Sequence, residues 1–164
     1  VDRNIRRYQE CPITLEGAED ILAYVNNNRE CLKNRPQSFQ HGDYHIGNMM
    51  MRDGELVIID FDRFSFGDPW EEFNRIVWCA QKVPFFGAGM LDGYFDFAIP
   101  EAFWWCLAFY IGSNTLASIS WAMDFGEGEI AVMKQQAKEV LCWYDNFKTV
   151  YPGWYLKCKR ELKI

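Results

Sequence analysis

The stretch Ala102–Met123, AFWWCLAFYIGSNTLASISWAM, contains no charged residue. A run of this length first has to be tested as a membrane span. It fails on its polar content, because Gly112, Ser113, Asn114, Thr115, Ser118 and Ser120 are too many polar positions for lipid exposure. Its flanks are Glu101 and Asp124, where an anchored helix carries Lys or Arg. The run therefore predicts a helix buried in the centre of a globule, with the rest of the chain wrapped around it. Phe103, Trp104, Trp105, Phe109 and Tyr110 then read as core at helical spacing rather than as an aromatic cage for a cation.

The chain has 164 residues, enough for one domain with a substantial core and too few for two. Hydrophobic residues make up 49% and aromatics 17%, which excludes a disordered chain. The net charge of -6 and a sequence pI near 4.9 argue against nucleic acid or an anionic membrane as partner. An acidic surface serves solubility first and can also hold metal ions or a cationic substrate. Cysteines 11, 31, 79, 106, 142 and 158 form no CxxC pair, and most lie in apolar stretches, as reduced thiols in a cytoplasmic setting would. Arg3, Arg6 and Arg7 are followed by no apolar run, so no signal peptide is read. A chain starting at Val1 is what a processed or excised fragment would show.

Leu15, Ala18, Leu22 and Val25 predict a helix over 15–34, capped by Thr14 and closed off by Pro36. After an extended segment, Met49–Arg52 and Glu55–Ile59 flank Asp53-Gly54, which predicts a β-hairpin with a two-residue turn. Asp68-Pro69-Trp70-Glu71 is a helix start with Asp68 as cap, predicting a helix over 69–82. Further helices are expected over 85–97, 100–122 and 127–149. There is no internal repeat and no linker. The fold class is α+β and mostly helical, with one small hairpin among helices.

Both histidines lie in the octapeptide His41-Gly42-Asp43-Tyr44-His45-Ile46-Gly47-Asn48. If Asp53-Gly54 is the turn, Arg52 faces Glu55, Met49 faces Ile58 and Asn48 faces Ile59, leaving Asp60 at the same open end as Asn48. A regular ladder would send the two to opposite faces, so the ladder must end or bend there. An amide oxygen with a carboxylate and open positions suits Mg²⁺ and makes a poor zinc site. Asp43 precedes Asn48 by five, the offset of the kinase signature in which the aspartate accepts the proton of the attacking hydroxyl.

The octapeptide resembles the HGDxHxxN motif of aminoglycoside phosphotransferases and choline-kinase-like enzymes, and Ile59-Asp60-Phe61-Asp62 resembles their metal-binding segment. Gly67-Asp68-Pro69 before an acidic helix start fits the same pattern. The resemblance implies the C-terminal, catalytic lobe of a protein-kinase-like fold and transfer of the ATP γ-phosphate to a hydroxyl of a small molecule. It implies Asp43 as the catalytic aspartate, Asn48 and Asp60 as Mg²⁺ ligands, His41 and His45 as supports of the loop, and Asp62 as an aid to metal or substrate. Asp62 stands where protein kinases have the glycine of D-F-G, which argues against a kinase-style flip.

The fold also implies an N-terminal lobe with a phosphate-covering loop and a lysine, and no such segment is read here. Gly87-Ala88-Gly89 lies among helical residues and lacks the GxGxxG spacing. The fragment alone is therefore expected to bind ATP weakly, to transfer nothing and to self-associate through apolar surface left bare. The acidic turn with Asp124, Glu127 and Glu129 suggests a cationic acceptor, against a competing reading in which these acids favour the start of the following helix. Two rival readings are a metallohydrolase using His41, Asp43, His45 and Asp60, and a kinase-like binding module without turnover.

Overall fold

A computed structural model describes residues 1–162. Helix α5, Glu101–Ala122, is its axis. Phe103, Leu107, Phe109, Leu116, Ile119 and Ala122 are fully buried, as a helix apolar all round must be. Among the described residues no helix is long and apolar enough to cross a membrane. Trp105 departs from the core reading: it is 40% exposed and stacks on Tyr24 at 6.4 Å.

Helices α1 (Asp2–Gln9), α2 (Ala18–Asn27) and α6 (Glu127–Trp143) pack against α5. Helices α3 (Ile76–Lys82), α4 (Pro84–Tyr94) and α7 (Gly153–Leu162) follow one another in contact, α3 on α4 and α4 on α7. The last of these joints is an ion pair, with Asp92 accepting from Tyr155 at 2.7 Å and from Lys159 at 3.0 Å.

The strands occupy one end. β2 (Met49–Arg52) and β3 (Glu55–Ile58) form the expected hairpin in the expected register, Met49 opposite Ile58 and Arg52 opposite Glu55. A second antiparallel pair was not foreseen: β1 (Ser38–Gln40) with β4 (Ser65–Gly67). Three residues per strand are too few for an alternation signal.

Several helix bounds differ from the expectation. The helix expected over 15–34 begins after Gly17, at φ 75°, and ends at Asn27. There the Asn28 side chain takes the Tyr24 carbonyl at 2.8 Å and a 3-10 turn, Arg29–Leu32, follows. The one expected over 69–82 opens as a 3-10 segment, Glu71–Arg75, before α3. The one expected over 85–97 starts at Pro84 and ends at Tyr94. The one expected over 127–149 stops at Trp143, because Asp145, Asn146 and Phe147 all take positive φ. α1 and α7 were not anticipated. α1 buries only Ile5 and Tyr8, too thin an apolar stripe to read beside its arginines.

Candidate active site

β1 leads into the loop that carries Asp43, and the hairpin returns beside it. The His41 ring is a strut: its Nδ1 accepts the Asp43 N–H at 3.3 Å, so Nε2 carries the proton and donates to the Ile59 carbonyl at 2.8 Å. With both nitrogens engaged and 4% exposure, His41 has no lone pair to offer a metal. Gly42 sits at φ 83°, and a Cβ there would stand 2.0 Å from the Arg63 carbonyl oxygen. Only glycine fits that turn.

The Asp43 carboxylate, 19% exposed, meets three partners. Arg75 Nε lies 3.3 Å from Oδ1, while Arg63 Nη1 and His45 Nε2 each lie 3.8 Å from Oδ2. His45 Nδ1 accepts the Gly47 N–H at 2.9 Å, which puts the proton of the neutral ring on the nitrogen facing Asp43. A Cβ on Gly47 would come within 2.6 Å of that ring. Burial lowers the His45 pKa below its ordinary value, and Asp43 opposes the shift. Burial likewise lowers the pKa of Arg75.

Asn48 is 9% exposed, and its side-chain nitrogen donates to the Asp43 carbonyl at 2.9 Å. With the nitrogen engaged, the amide oxygen is the atom left for a cation. The Asn48 carbonyl accepts the Ile59 N–H at 3.0 Å, one backbone bond beyond the hairpin. There the ladder ends, because the exposed Asp60 takes φ 65°. Asp62 is also exposed, in the turn where the Phe64 N–H bonds the Phe61 carbonyl at 3.0 Å. Among the described residues no group of three or more His, Cys, Asp and Glu side chains is placed to hold a metal. An amide oxygen with one or two carboxylates fits Mg²⁺, which keeps several waters and takes few protein ligands.

Behind the loop stand residues the sequence reading missed. The Glu72 carboxylate accepts the backbone N–H of His41 on Oε2 and of Gly42 on Oε1, at 3.0 Å for the second. Asp68 does cap, taking the Trp70 N–H at 3.0 Å, but its larger role is an anchor. It receives Arg35 through two bonds, at 2.7 and 2.9 Å, and the Tyr110 hydroxyl of α5 at 2.8 Å. Its backbone carbonyl takes the Gln40 amide at 2.7 Å, one residue before His41. Burial works against the charged Asp68, but the Arg35, Trp70 and Tyr110 bonds outweigh it and hold the pKa below the ordinary carboxylate value. Arg35 also lies 3.4 Å over the Trp70 ring. No spacing rule pairs residues 33 positions apart.

A cavity of about 920 Å³ opens from Asp43 and His45 and runs between faces of α1, α3, α5 and α6. α5 contributes Asn114, Ser118 and Trp121, an i, i+4, i+7 stripe of half-buried residues. The Asn74 carboxamide oxygen in the cavity wall is buried without a partner. Of the acidic turn, only Glu129 lines the cavity; Asp124 and Glu127 are exposed and lie outside it.

An aspartate loop, a hairpin ending in asparagine and aspartate, and a helical body around them define the C-terminal part of a protein-kinase-like phosphotransferase fold. Residues 1–105 match the phosphotransferase enzyme family APH, and the chain belongs to this family of aminoglycoside-phosphotransferase type. No curated protein sequence matches the chain. Among solved structures it resembles a thermostable mutant of aminoglycoside phosphotransferase APH(4)-Ia in ternary complex with ADP and hygromycin B, with a TM-score of 0.59 and 16% identity over 77% of this chain and 43% of that one. A mutant complexed with AMP-PNP and hygromycin B gives 0.58, 17%, 77% and 43% for the same quantities. The apo form gives 0.55, 18%, 79% and 46%. The chain thus spans less than half the length of these solved relatives.

Proposed function

We propose that the chain is the catalytic lobe of a small-molecule kinase that moves the ATP γ-phosphate to a hydroxyl. The observation that carries the reading is Asp43, held in the wall of the cavity by Arg75 and fixed relative to Asn48 by the Asn48 amide bond to its own carbonyl. Asp43 accepts the proton of the attacking hydroxyl as the oxygen–phosphorus bond forms and the bond to the ADP oxygen breaks. Arg75 and Arg63 keep the carboxylate oriented, and His41 and His45 hold the loop around it. Asn48 and Asp60 hold Mg²⁺, with Asp62 assisting. That ion supplies charge neutralisation at the phosphate oxygens.

The donor reading is supported by ADP and AMP-PNP in the relatives' complexes. The chain spans less than half the length of those relatives, and by this reading it binds ATP weakly and transfers nothing on its own. The exposed Phe39, Phe61, Phe64 and Phe66, together with the exposed Met51 and Leu56 of the hairpin, favour self-association of the isolated chain. Unpaired cysteines fit a reducing, cytoplasmic setting.

The test is Asp43→Asn in the full-length parent. Transfer from ATP should fall by about 10²–10⁴-fold, with the melting temperature retained. Activity equal to wild type would overturn the assignment.

A further inference from the structure

The cavity wall has a charge character opposite to that of the rest of the chain. The sequence carries 17 Lys and Arg against 23 Asp and Glu. Yet the cavity is lined by Arg3, Arg7, Arg63, Arg75 and Lys82, against Asp43, Glu71, Glu72 and Glu129. Arg63 and Arg75 face Asp43, and Glu72 is taken by the two loop amides. Glu71, whose carboxyl burial pushes up, stands four residues beyond β4, the partner strand of Phe39 and Gln40, and also lines the cavity. Arg3 and Arg7, four apart and so on one face of α1, and Lys82 at the end of α3 are the remaining cations of the lining. Among the described residues no carboxylate lies within 4.0 Å of any of these three cations. Among the lining acids Glu129 is the one that comes from α6.

The second observation is the α5 stripe. Asn114 and Ser118 offer hydrogen-bonding groups and Trp121 a flat apolar face, the combination that receives a hydroxylated carbon skeleton. Asn4, between the two α1 arginines, bonds Ser113 at 3.1 Å and so fixes α1 against that stripe.

We propose that the part of the cavity lined by α1, α5 and the end of α3 is the acceptor subsite and that it takes a hydroxylated acceptor bearing an anionic group, a carboxylate or a phosphate ester, rather than a polyamine. The inference rests on the phosphotransferase reading for the word acceptor, but not for the binding of the anion. The anion lies against Arg3, Arg7 and Lys82, the skeleton against the α5 stripe, and a hydroxyl is presented to Asp43. Glu129 discriminates among acceptors by repelling an anion placed on the α6 side.

The test is an NMR titration of the 164-residue chain, following the Trp78 and Trp121 indole N–H signals, with gluconate, glucose 6-phosphate, glucose and hygromycin B as probes. One or both anions should bind more tightly than glucose, and hygromycin B should bind more weakly than the better anion. Arg7→Gln, or Lys82→Gln should the first variant not fold, should weaken the anion about fivefold, and raising salt from low to about 0.3 M should weaken it further. Which anion prevails separates carboxylate from phosphate ester. Tighter binding of hygromycin B, binding of neither anion, or affinities unchanged in both variants would overturn the proposal. Transfer from ATP, assayed in parallel on the full-length parent, keeps the two readings apart. An anion that binds but is never phosphorylated defeats the kinase reading and leaves the subsite standing, whereas a phosphorylated polyamine with no anion binding does the reverse.

Discussion

Glu72 holds the Gly42 N–H at 3.0 Å with one carboxylate oxygen while its other oxygen holds the neighbouring N–H of His41. Two successive amides gripped by one side chain fix the direction in which the chain enters Asp43. Glu72→Gln keeps the shape but turns one acceptor into a donor facing an N–H. The loss should be about 1–3 kcal/mol of stability, the penalty for an unsatisfied donor. In the full-length parent kcat should fall at least about tenfold with the acceptor KM little changed, since both carboxylate oxygens are taken up by the loop amides. Urea denaturation together with kinetics checks both parts, and Glu72→Asp should recover less than half of either.

Gly42→Ala should fail for a different reason. The left-handed φ of 83° costs a non-glycine residue about 1–2 kcal/mol, before the clash with the Arg63 carbonyl is counted. That oxygen would lie 2.0 Å from the new Cβ and belongs to backbone, so the loop or the segment carrying Arg63 must move. The expected outcome is a lowered melting temperature together with a lost Arg63–Asp43 contact. An unchanged His45–Asp43 titration coupling in the variant would count against it.

The hairpin was legible because Asp-Gly between two β-forming runs determines its own register, and Asp53 at φ 52° and Gly54 at φ 84° take the conformations such a turn requires. α5 was legible because an uncharged run of that length has one place to go. The order of Asp43, Asn48 and Asp60 was legible for the same local reason: offsets within a loop and a hairpin are short-range geometry. Glu72, Arg75 and Arg35 were not legible. Glu72 and Arg75 act on the loop from 30 or more positions away in sequence, through a helix start whose polar residues read equally well as a solvent face, and Arg35 reaches Asp68 across 33 positions. The acidic turn shows the converse, with three close carboxylates of which the helix start turns only Glu129 inward.

Asp68 joins Arg35, Tyr110 and Trp70, and removing it should be among the more damaging single changes in the chain. Asp68→Ala leaves Arg35 partly buried without its carboxylate, and breaking a buried pair in this way costs about 3–5 kcal/mol. The pH dependence follows from the direction of its shift. With a folded-state pKa below the unfolded 3.8, Asp68 contributes stability in full above the unfolded value, and loses it as pH falls through the folded one. Acid denaturation of Asp68→Asn should therefore show a shallower decline below about pH 4 than that of wild type. Parallel curves would show that other carboxylates set the acid limb.

His45 gives the opposite case. Burial holds its folded-state pKa below the ordinary 6.5, so between the two values the unfolded chain binds more protons than the folded one. Stability contributed by neutral His45 is therefore present above about pH 6.5 and declines as pH falls through that window. Asp43, at 3.8 Å, favours the imidazolium and opposes the shift, while Arg75 and Arg63 add to it. Two variants should then move the His45 titration in opposite directions, as followed by its ring Cε1 NMR signal. Asp43→Asn removes the one favourable charge and should lower the pKa further. Arg75→Gln removes a repulsive one, and with it part of the packing around the ring, so the pKa should rise toward the ordinary value. The ordering Asp43→Asn below wild type below Arg75→Gln requires the carboxylate and the guanidinium to stand on the imidazole as described. A His45 signal that titrates identically in all three proteins would place the ring outside the reach of Asp43 and remove it from the support of the loop.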